Sequence, residues 1–341
     1  MNKKSGKMKC YAILFIFFVS TTKDILAVNY VTVATIGSKP QLHEIATPQQ
    51  MIDEVIRFWR EKFQQVIPDK PDLIVLTENC DYPQGLSTEQ KKKYFQVRKN
   101  QVLDYFASVA RNNRCYIAFG MERLAEDSMW RNSSVLLDRE GKVVGIYDKN
   151  FPAIYELEAG IKAGNNVPVF NCDFGRVVSA ICFDLNFDEL RQKYISAKPN
   201  IILFSSMYHG GDALQSNWAY SCRSFFVGSM AFRDIPSEIR NPLGEIVATN
   251  TNYYDFAVTR INLDYRLAHL DQNWEKLRAL KEKYKEEVII SDPGKLGAVL
   301  ITSEHKTVSA EDMTKEFGIE LLDDYFNSTR KLRLQSLGRN K

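Results

Sequence analysis

The sequence predicts an α/β fold in which buried strands alternate with amphipathic helices, and three observations carry that prediction. Short apolar runs of β-type residues recur, DLIVL at 72–76, VVSAI at 177–181 and IILFS at 201–205, each continuous enough to be buried on both faces. Between such runs stand stretches with apolar residues at helical spacing, the clearest being Met51, Val55, Ile56, Trp59, Phe63 and Val66, which give one apolar face for packing on a sheet. Finally, 341 residues with 45% hydrophobic and 12% aromatic content can bury one large core, at the upper end of what a single domain holds.

The chain opens with a different kind of sequence. Lys3, Lys4, Lys7 and Lys9 precede nine apolar residues at 11–19, and polarity returns at 20–24; these are the charged and apolar regions of a secretory signal. Such a run is too short to cross a bilayer, which takes roughly 20 residues. Residues 1–27 are therefore expected to be a signal peptide or an N-terminal anchor. The protein is expected to be exported, periplasmic or extracellular, with an uncleaved leader as its route to a membrane tether and no integral membrane domain. Ala27 is small but Ile25 is not, so the cleavage point is poorly marked, and Cys10 lies before the apolar run, which argues against lipid attachment at a mature N-terminal cysteine.

Charge and cysteine usage exclude several classes. A net charge of +3 from 45 basic and 42 acidic residues gives no global field that would draw nucleic acid. Beyond the leader, Cys80, Cys115, Cys172, Cys182 and Cys222 are odd in number and without short repeated spacing, so a disulfide framework is not the organising principle. His43, His209, His269 and His305 are scattered and no C-x-x-C occurs; neither a metal nor a cofactor is expected.

A strand is expected at 30–36 (YVTVATI), alternating and β-branched. Thr47-Pro48-Gln49-Gln50 starts the first helix, with Pro just inside it, and Pro68 and Pro71 end it. The strand at 72–76 runs out at Glu78. A second helix at 88–112 leads to a strand at 115–120. Runs at 133–138 and 143–149 read as a hairpin across Arg139-Glu140-Gly141-Lys142, with Lys149 at the end of its second strand. The loop 150–166, rich in Gly, Pro and charge, delivers the chain to 167–170 and then to the strand at 177–181. Cys182 stands at its tip, and an acidic, helix-like segment follows at 184–191. Beyond it come the strand at 201–205, a helix from about Trp218, and strands at 228–232 and 256–261. From Tyr265 the composition shifts toward charge, with a Lys/Glu-rich helix at 267–285, a strand at 297–301 and a polar helix from Glu311. This tail has too few apolar positions to build a core alone, and is expected to pack on the main domain or to wrap a partner subunit. Asn132-Ser133-Ser134 and Asn327-Ser328-Thr329 fit the short glycosylation pattern.

Three strands thus end in three reactive types, Glu78, Lys149 and Cys182. Singly, each has a bland reading: a partly buried ion pair for Glu78 and Lys149, a small buried hydrophobe for Cys182. Together, at strand ends where open α/β layers form their sites, they supply what a thiol nucleophile needs. Glu78 is the base that takes its proton, and Lys149 is the cation that holds the oxyanion of a tetrahedral intermediate. A carboxylate is a weak base beside a thiol of pKa about 8.5, but burial pushes a Glu upward and Lys149 favours the thiolate. The strand-to-helix turn at Cys182 also aims backbone N–H groups at the reacting atoms. No histidine lies in these stretches, so a papain-like pair is not expected.

The phrases DLIVLTEN, GIYDKNFP and ICFDLNFDELR, in that order, resemble the three signatures of the nitrilase, or carbon-nitrogen hydrolase, superfamily. Further likeness lies in AFGMER at 118–123 and in the helix at 218–226, and the whole runs from about Val31 to Leu263. The resemblance implies a four-layer α-β-β-α sandwich over 28–264, with a C-terminal extension at 265–341, and homodimers or higher homo-oligomers that stack sheets. It assigns Glu78 as base, Lys149 as stabiliser of the tetrahedral intermediate and Cys182 as the residue that forms a thioester. It also implies a second Glu before the turn that here reads Ala163-Gly164; Glu156 and Glu158 both precede it, and Glu158 fits the spacing better. The implied function is hydrolysis of a non-peptide C–N bond in a small amide or N-carbamoyl substrate, without a cofactor. The alternatives are a secreted nitrilase-fold binding protein with an idle triad, and acyl transfer to an acceptor other than water. Thr77 stands for the usual Pro before the Glu, Ala163 for Pro in the turn, and Asn186 and Asp188 for Arg and Pro after the Cys; these departures bear on the substrate more than on the reacting groups.

Overall fold

The computed structural model describes residues 28–338 apart from 42–46, 209, 233, 252 and 295. The leader expected at 1–27, with Cys10, and the residues His43 and His209 lie outside the described residues. β1 (Tyr30–Ile36) leads to α1 (Pro48–Val66), which starts with a capping box: the Gln50 N–H donates to Thr47 Oγ1, and the Thr47 N–H to Gln50 Oε1. β2 (Leu73–Leu76), α2 (Thr88–Arg98), α3 (Gln101–Asn113), β3 (Tyr116–Leu124) and the hairpin β4 (Trp130–Leu137) and β5 (Val143–Asp148) follow. After the short α4 (Ile154–Glu158) come β6 (Phe170–Cys172), β7 (Gly175–Ile181), a 3-10 turn at Cys182–Asn186 and α5 (Asp188–Ala197). The chain then runs through β8 (Ile201–Ser206), α6 (Asp212–Cys222), β9 (Phe225–Met230), β10 (Glu238–Arg240), β11 (Ile246–Thr249) and β12 (Phe256–Asn262).

These strands form two six-stranded sheets, ordered β12-β1-β2-β3-β4-β5 and β11-β10-β9-β8-β7-β6. The inner strands alternate their side chains between two apolar environments. Val31, Val33, Leu73 and Val75 of the first sheet meet Val177, Ile181, Leu203 and Val227 of the second in the central core. On the outer faces, Trp59, Phe63 and Phe106 of α1 and α3 cover Ile74, Leu76 and Phe119, while Leu190, Tyr194 and Trp218 of α5 and α6 cover Val178, Ile202 and Phe204. The result is the four-layer α-β-β-α sandwich that the sequence led us to expect.

Buried hydroxyls pin the two sheets together at the carboxyl ends of their inner strands. Thr35 Oγ1 donates to Gly228 O at 2.8 Å, Ser229 Oγ to Ile36 O at 2.7 Å and Ser205 Oγ to Leu76 O at 2.7 Å. Ser205 joins the end of β8 to the end of β2, so the carboxyl ends of parallel strands from both sheets are held at fixed spacing. In the hairpin, Ser133 of β4 pairs with Asp148 of β5, and the Lys149 N–H continues the ladder onto Asn132 O at 2.9 Å. Register alone therefore sets Asn132 beside Lys149.

Several elements differ from expectation. The helix expected at 88–112 is two helices, because Arg98 turns inward to an ion pair with buried Asp81 and Lys99 adopts φ 43°. The loop 150–166 contains α4. The helix-like segment after Cys182 is a 3-10 turn before it is a helix. The helix expected at 267–285 begins as β13 (Tyr265–His269) and only then becomes α7 (Trp274–Tyr284), since Tyr265 and Leu267 face the central core and Ala268 the opposite side. With β14 (Val288–Ser291) and β15 (Ala298–Ser303) it forms a three-stranded sheet, followed by α8 (Ala310–Glu316) and α9 (Leu322–Ser336). This extension has a small apolar cluster of its own, including Leu280, Val299 and Met313, and packs on the sandwich through Leu267, Leu300 and Leu322. No helix among the described residues is long and apolar enough to cross a membrane.

One glycine couples the frame to its strand ends. A Cβ on Gly120 of β3 would lie 2.6 Å from Glu78 Cα and 2.7 Å from Asn79 N, both backbone atoms that cannot rotate away. Gly120→Ala should lower the unfolding free energy in urea by about 1–3 kcal/mol; an unchanged midpoint would show that the turn after β2 moves aside freely.

Candidate active site

Shortly past β2 and immediately past β7 the chain leaves the extended conformation abruptly. Asn79, next to Glu78, has φ 51°, and Cys182 itself has φ 48°. Left-handed non-glycine residues cost on the order of 1–3 kcal/mol and persist where neighbouring contacts hold them. At Cys182 the holding contact is Asp184, which is fully buried. Its carboxylate accepts from the Ile181 N–H at 2.9 Å, the Phe151 N–H at 2.9 Å and the Tyr147 hydroxyl at 2.7 Å. The turn that carries the thiol is thus tied to the backbone just beyond Lys149 and to the strand that delivers it. Trp218, 1% exposed, braces the same turn by donating its indole N–H to Leu185 O at 3.0 Å.

Facing this turn is a buried cluster of charges. Lys149 Nζ donates to Glu78 Oε1 at 2.8 Å and to Glu156 Oε2 at 2.7 Å, and all three side chains are nearly sealed from water. Asn132 Nδ2 bridges the two carboxylates, donating to Glu78 Oε1 at 2.7 Å and to Glu156 Oε1 at 2.8 Å. The second oxygen of Glu78 accepts the Met207 N–H, just past β8, at 3.0 Å. Glu156 also accepts the Ala153 N–H at 2.7 Å, so the contact that opens α4 points its carboxylate at Lys149. Gly164 approaches the same lysine from the next turn, its N–H on Lys149 O at 2.8 Å. The first sheet contributes Glu78 and Lys149, and the second contributes Cys182 and Met207.

The charge states follow from competing causes. Burial raises Glu78, but Lys149, Asn132 and the Met207 N–H outweigh it and hold the carboxyl below its ordinary value; the upward push expected from burial is overturned by these donors. Burial also works against the Lys149 ammonium, yet Glu78, Cys182 and Glu156 hold it well above the usual lysine range. Cys182 thus lies within electrostatic reach of the ammonium. Burial raises Asp184 to about 6 despite its three donors and Lys149.

The fold brings Glu78 and Lys149 into contact and sets Cys182 within electrostatic reach of Lys149, but it does not bring Glu158 to them. Glu158 is exposed and outside the cluster, whereas Glu156 is 6% exposed and inside it. Two residues advance a helix by roughly 200°, so with Glu156 facing Lys149, Glu158 faces out. Asn132 was legible only as a glycosylation match; in the fold its amide is 1% exposed and committed to two carboxylates, while Asn327 lies exposed on α9. Asp184, Tyr147 and the Met207 amide gave no signal beyond polarity within apolar stretches. Trp218 is internal, whereas Tyr155 and Tyr208 are exposed, at 69% and 56%. No group of three His, Cys, Asp or Glu among the described residues could hold a metal ion, and no disulfide occurs among them.

Known proteins share this arrangement of layers. The family model described as carbon-nitrogen hydrolase matches residues 32–232. The deaminated glutathione amidase of Dictyostelium discoideum is 22% identical over 247 residues, 62% of this chain and 84% of its own. An amidase from Nesterenkonia sp. superposes with a TM-score of 0.59 at 13% identity, over 76% of this chain and 99% of its own; a mutant of the amidase from Nesterenkonia sp. AN1, which carries the acetamide moiety of fluoroacetamide covalently at its active site cysteine, gives 0.57 at 13%, over 70% and 92%. A Saccharomyces cerevisiae member of branch 10 of the nitrilase superfamily gives 0.57 at 15% identity, over 79% and 97%. At such identities structural likeness speaks to the fold, and the family follows from the match across more than half of the sequence: the chain belongs to the carbon-nitrogen hydrolase family.

Proposed function

We propose that this protein hydrolyses a non-peptide C–N bond of a small amide or N-carbamoyl compound through a Cys182 thioester. The observation that carries the proposal is the Glu78–Lys149–Glu156 cluster, two carboxylates and one ammonium out of water, set against a thiol on a left-handed turn. In the first step the Cys182 proton passes to Glu78 and the sulfur bonds to the substrate carbonyl carbon, while Lys149 stabilises the oxyanion. The C–N bond then breaks, and the leaving nitrogen takes the proton from Glu78. Water attacks the thioester, giving its proton to Glu78; the acid leaves and the thiol is restored. Glu156 and Asn132 orient Lys149 and Glu78 throughout, and Asp184 positions the nucleophile.

An ammonia-release screen of primary amides, carbamoyl compounds and nitriles tests this directly. Cys182→Ala should lose roughly 10³-fold or more, and Glu78→Gln roughly 10²-fold or more; substantial residual turnover in Cys182→Ala would remove the thioester. Glu156→Gln should lose about tenfold or more, whereas Glu158→Gln should stay within about twofold. The reverse order would return the fourth role to Glu158.

Asp184 adds a pH signature. Folding raises its carboxyl from 3.8 to about 6, so the folded state binds this proton more tightly than the unfolded chain. The group's contribution to stability is fully present below its unfolded pKa and is lost as pH rises through about 6. Across that window the stability of the wild type relative to Asp184→Asn should fall by on the order of 2–3 kcal/mol, as read from urea unfolding. A flat difference would mean that Asp184 does not titrate in the fold.

A further inference from the structure

One cation at these strand ends has no part in the chemistry above. Lys39 lies just beyond β1, and its side chain is 5% exposed. Its ammonium sits 4.4 Å from the centre of the Tyr82 ring and 3.6 Å from Met207 Sδ. Among the described residues no carboxylate reaches it at ion-pair distance. Glu122 is taken by Lys91 at 3.0 Å and by the Tyr82 hydroxyl at 2.7 Å, and Glu78 by Lys149. A buried ammonium held by a ring face and a thioether is costly unless an anion completes its shell. Burial lowers Lys39 to about 8, with Lys91 pushing the same way and Glu78, Glu122 and Cys80 resisting.

Met207 connects this lysine to the reaction centre. Its N–H donates to Glu78 Oε2 at 3.0 Å, while its partly exposed side chain covers Lys39. Methionine is unbranched and readily adopts other rotamers, so displacing the thioether would uncover the Lys39 ammonium at the residue whose own N–H rests on Glu78. We propose that Lys39 is the anion-binding residue of the substrate pocket, taking a carboxylate carried by the amide substrate. This rests on the hydrolase reading of the site. It narrows the substrate class to amides that carry a carboxylate within a short chain of the scissile carbonyl. The competing role, balancing the surplus negative charge of Glu78 and Glu156 against Lys149, would affect all substrates alike.

The probes are the monoamides of succinic, glutaric and adipic acids, each paired with the uncharged amide of equal length, butyramide, valeramide or hexanamide. The readout is the ratio of kcat/KM for charged over uncharged partner, which does not depend on the folded fraction of a variant. In the wild type at least one ratio should be about 10 to 100. Lys39→Met should bring it near one, chiefly through KM, and Lys39→Arg should retain part of it. Calorimetry on Cys182→Ala, with and without Lys39→Met, measures binding of the same pairs without turnover. No preference for a charged member in the wild type, or a ratio unchanged in Lys39→Met, overturns the proposal. If no probe is hydrolysed, Lys39-dependent binding of a charged amide to Cys182→Ala upholds the anion site while the hydrolytic reading fails, and absence of such binding overturns the site as well.

Discussion

Two carboxylates sharing one ammonium, all three shielded from water, is the constraint around which this fold is arranged. Removing such charges from solvent costs several kcal/mol per ion unless nearly every lone pair and proton finds a partner. The protein meets that demand from unrelated parts of the chain. Asn132 comes from the hairpin partner of the lysine strand, the Met207 amide from the opposite sheet, and the Ala153 N–H from the start of α4. Each donor is directed by a regular feature: a ladder register, a strand end, a helix start. The cluster is thereby rigid before any substrate arrives, which is the condition for electrostatic stabilisation at low reorganisation cost.

The same partners explain why Glu78 rests ionised although it is buried. Burial by itself would favour the neutral acid, but a lysine, an amide and a backbone N–H all stabilise the anion. The departures from family wording leave this arrangement untouched. Thr77, in place of proline, donates its hydroxyl to Ser38 O at 3.1 Å, which fastens the segment leading to Lys39. Asp188, in place of another proline, opens α5 as an acidic residue in its first turn, where it complements the helix dipole.

How much of this was legible depended on whether a signal was local. Strands with continuous apolar runs, the capped start of α1 and the hairpin across 139–142 were readable because period and turn chemistry lie in neighbouring residues. Glu78, Lys149 and Cys182 were readable because each ends such a strand. The break at Lys99 was not, since it depends on Arg98 reaching Asp81 in a distant loop. β13 was hidden by charge: Arg266 points away to an ion pair with Glu311, and two inward residues among polar neighbours look helical without knowledge of what they face. Asn132, Glu156 and Asp184 are defined by what they touch across the fold, which one-dimensional spacing does not encode.

The hydroxyl pins between the sheets carry a further consequence. Glu78 and Lys149 belong to one sheet and Cys182 to the other, and Ser205, Ser229 and Thr35 register the two only when their faces meet dry. A chain with either sheet formed alone does not bring Cys182 to Glu78 and Lys149. The charge cluster and the thiol are therefore juxtaposed only in the docked sandwich, so the reaction proposed above requires both sheets together and neither one alone.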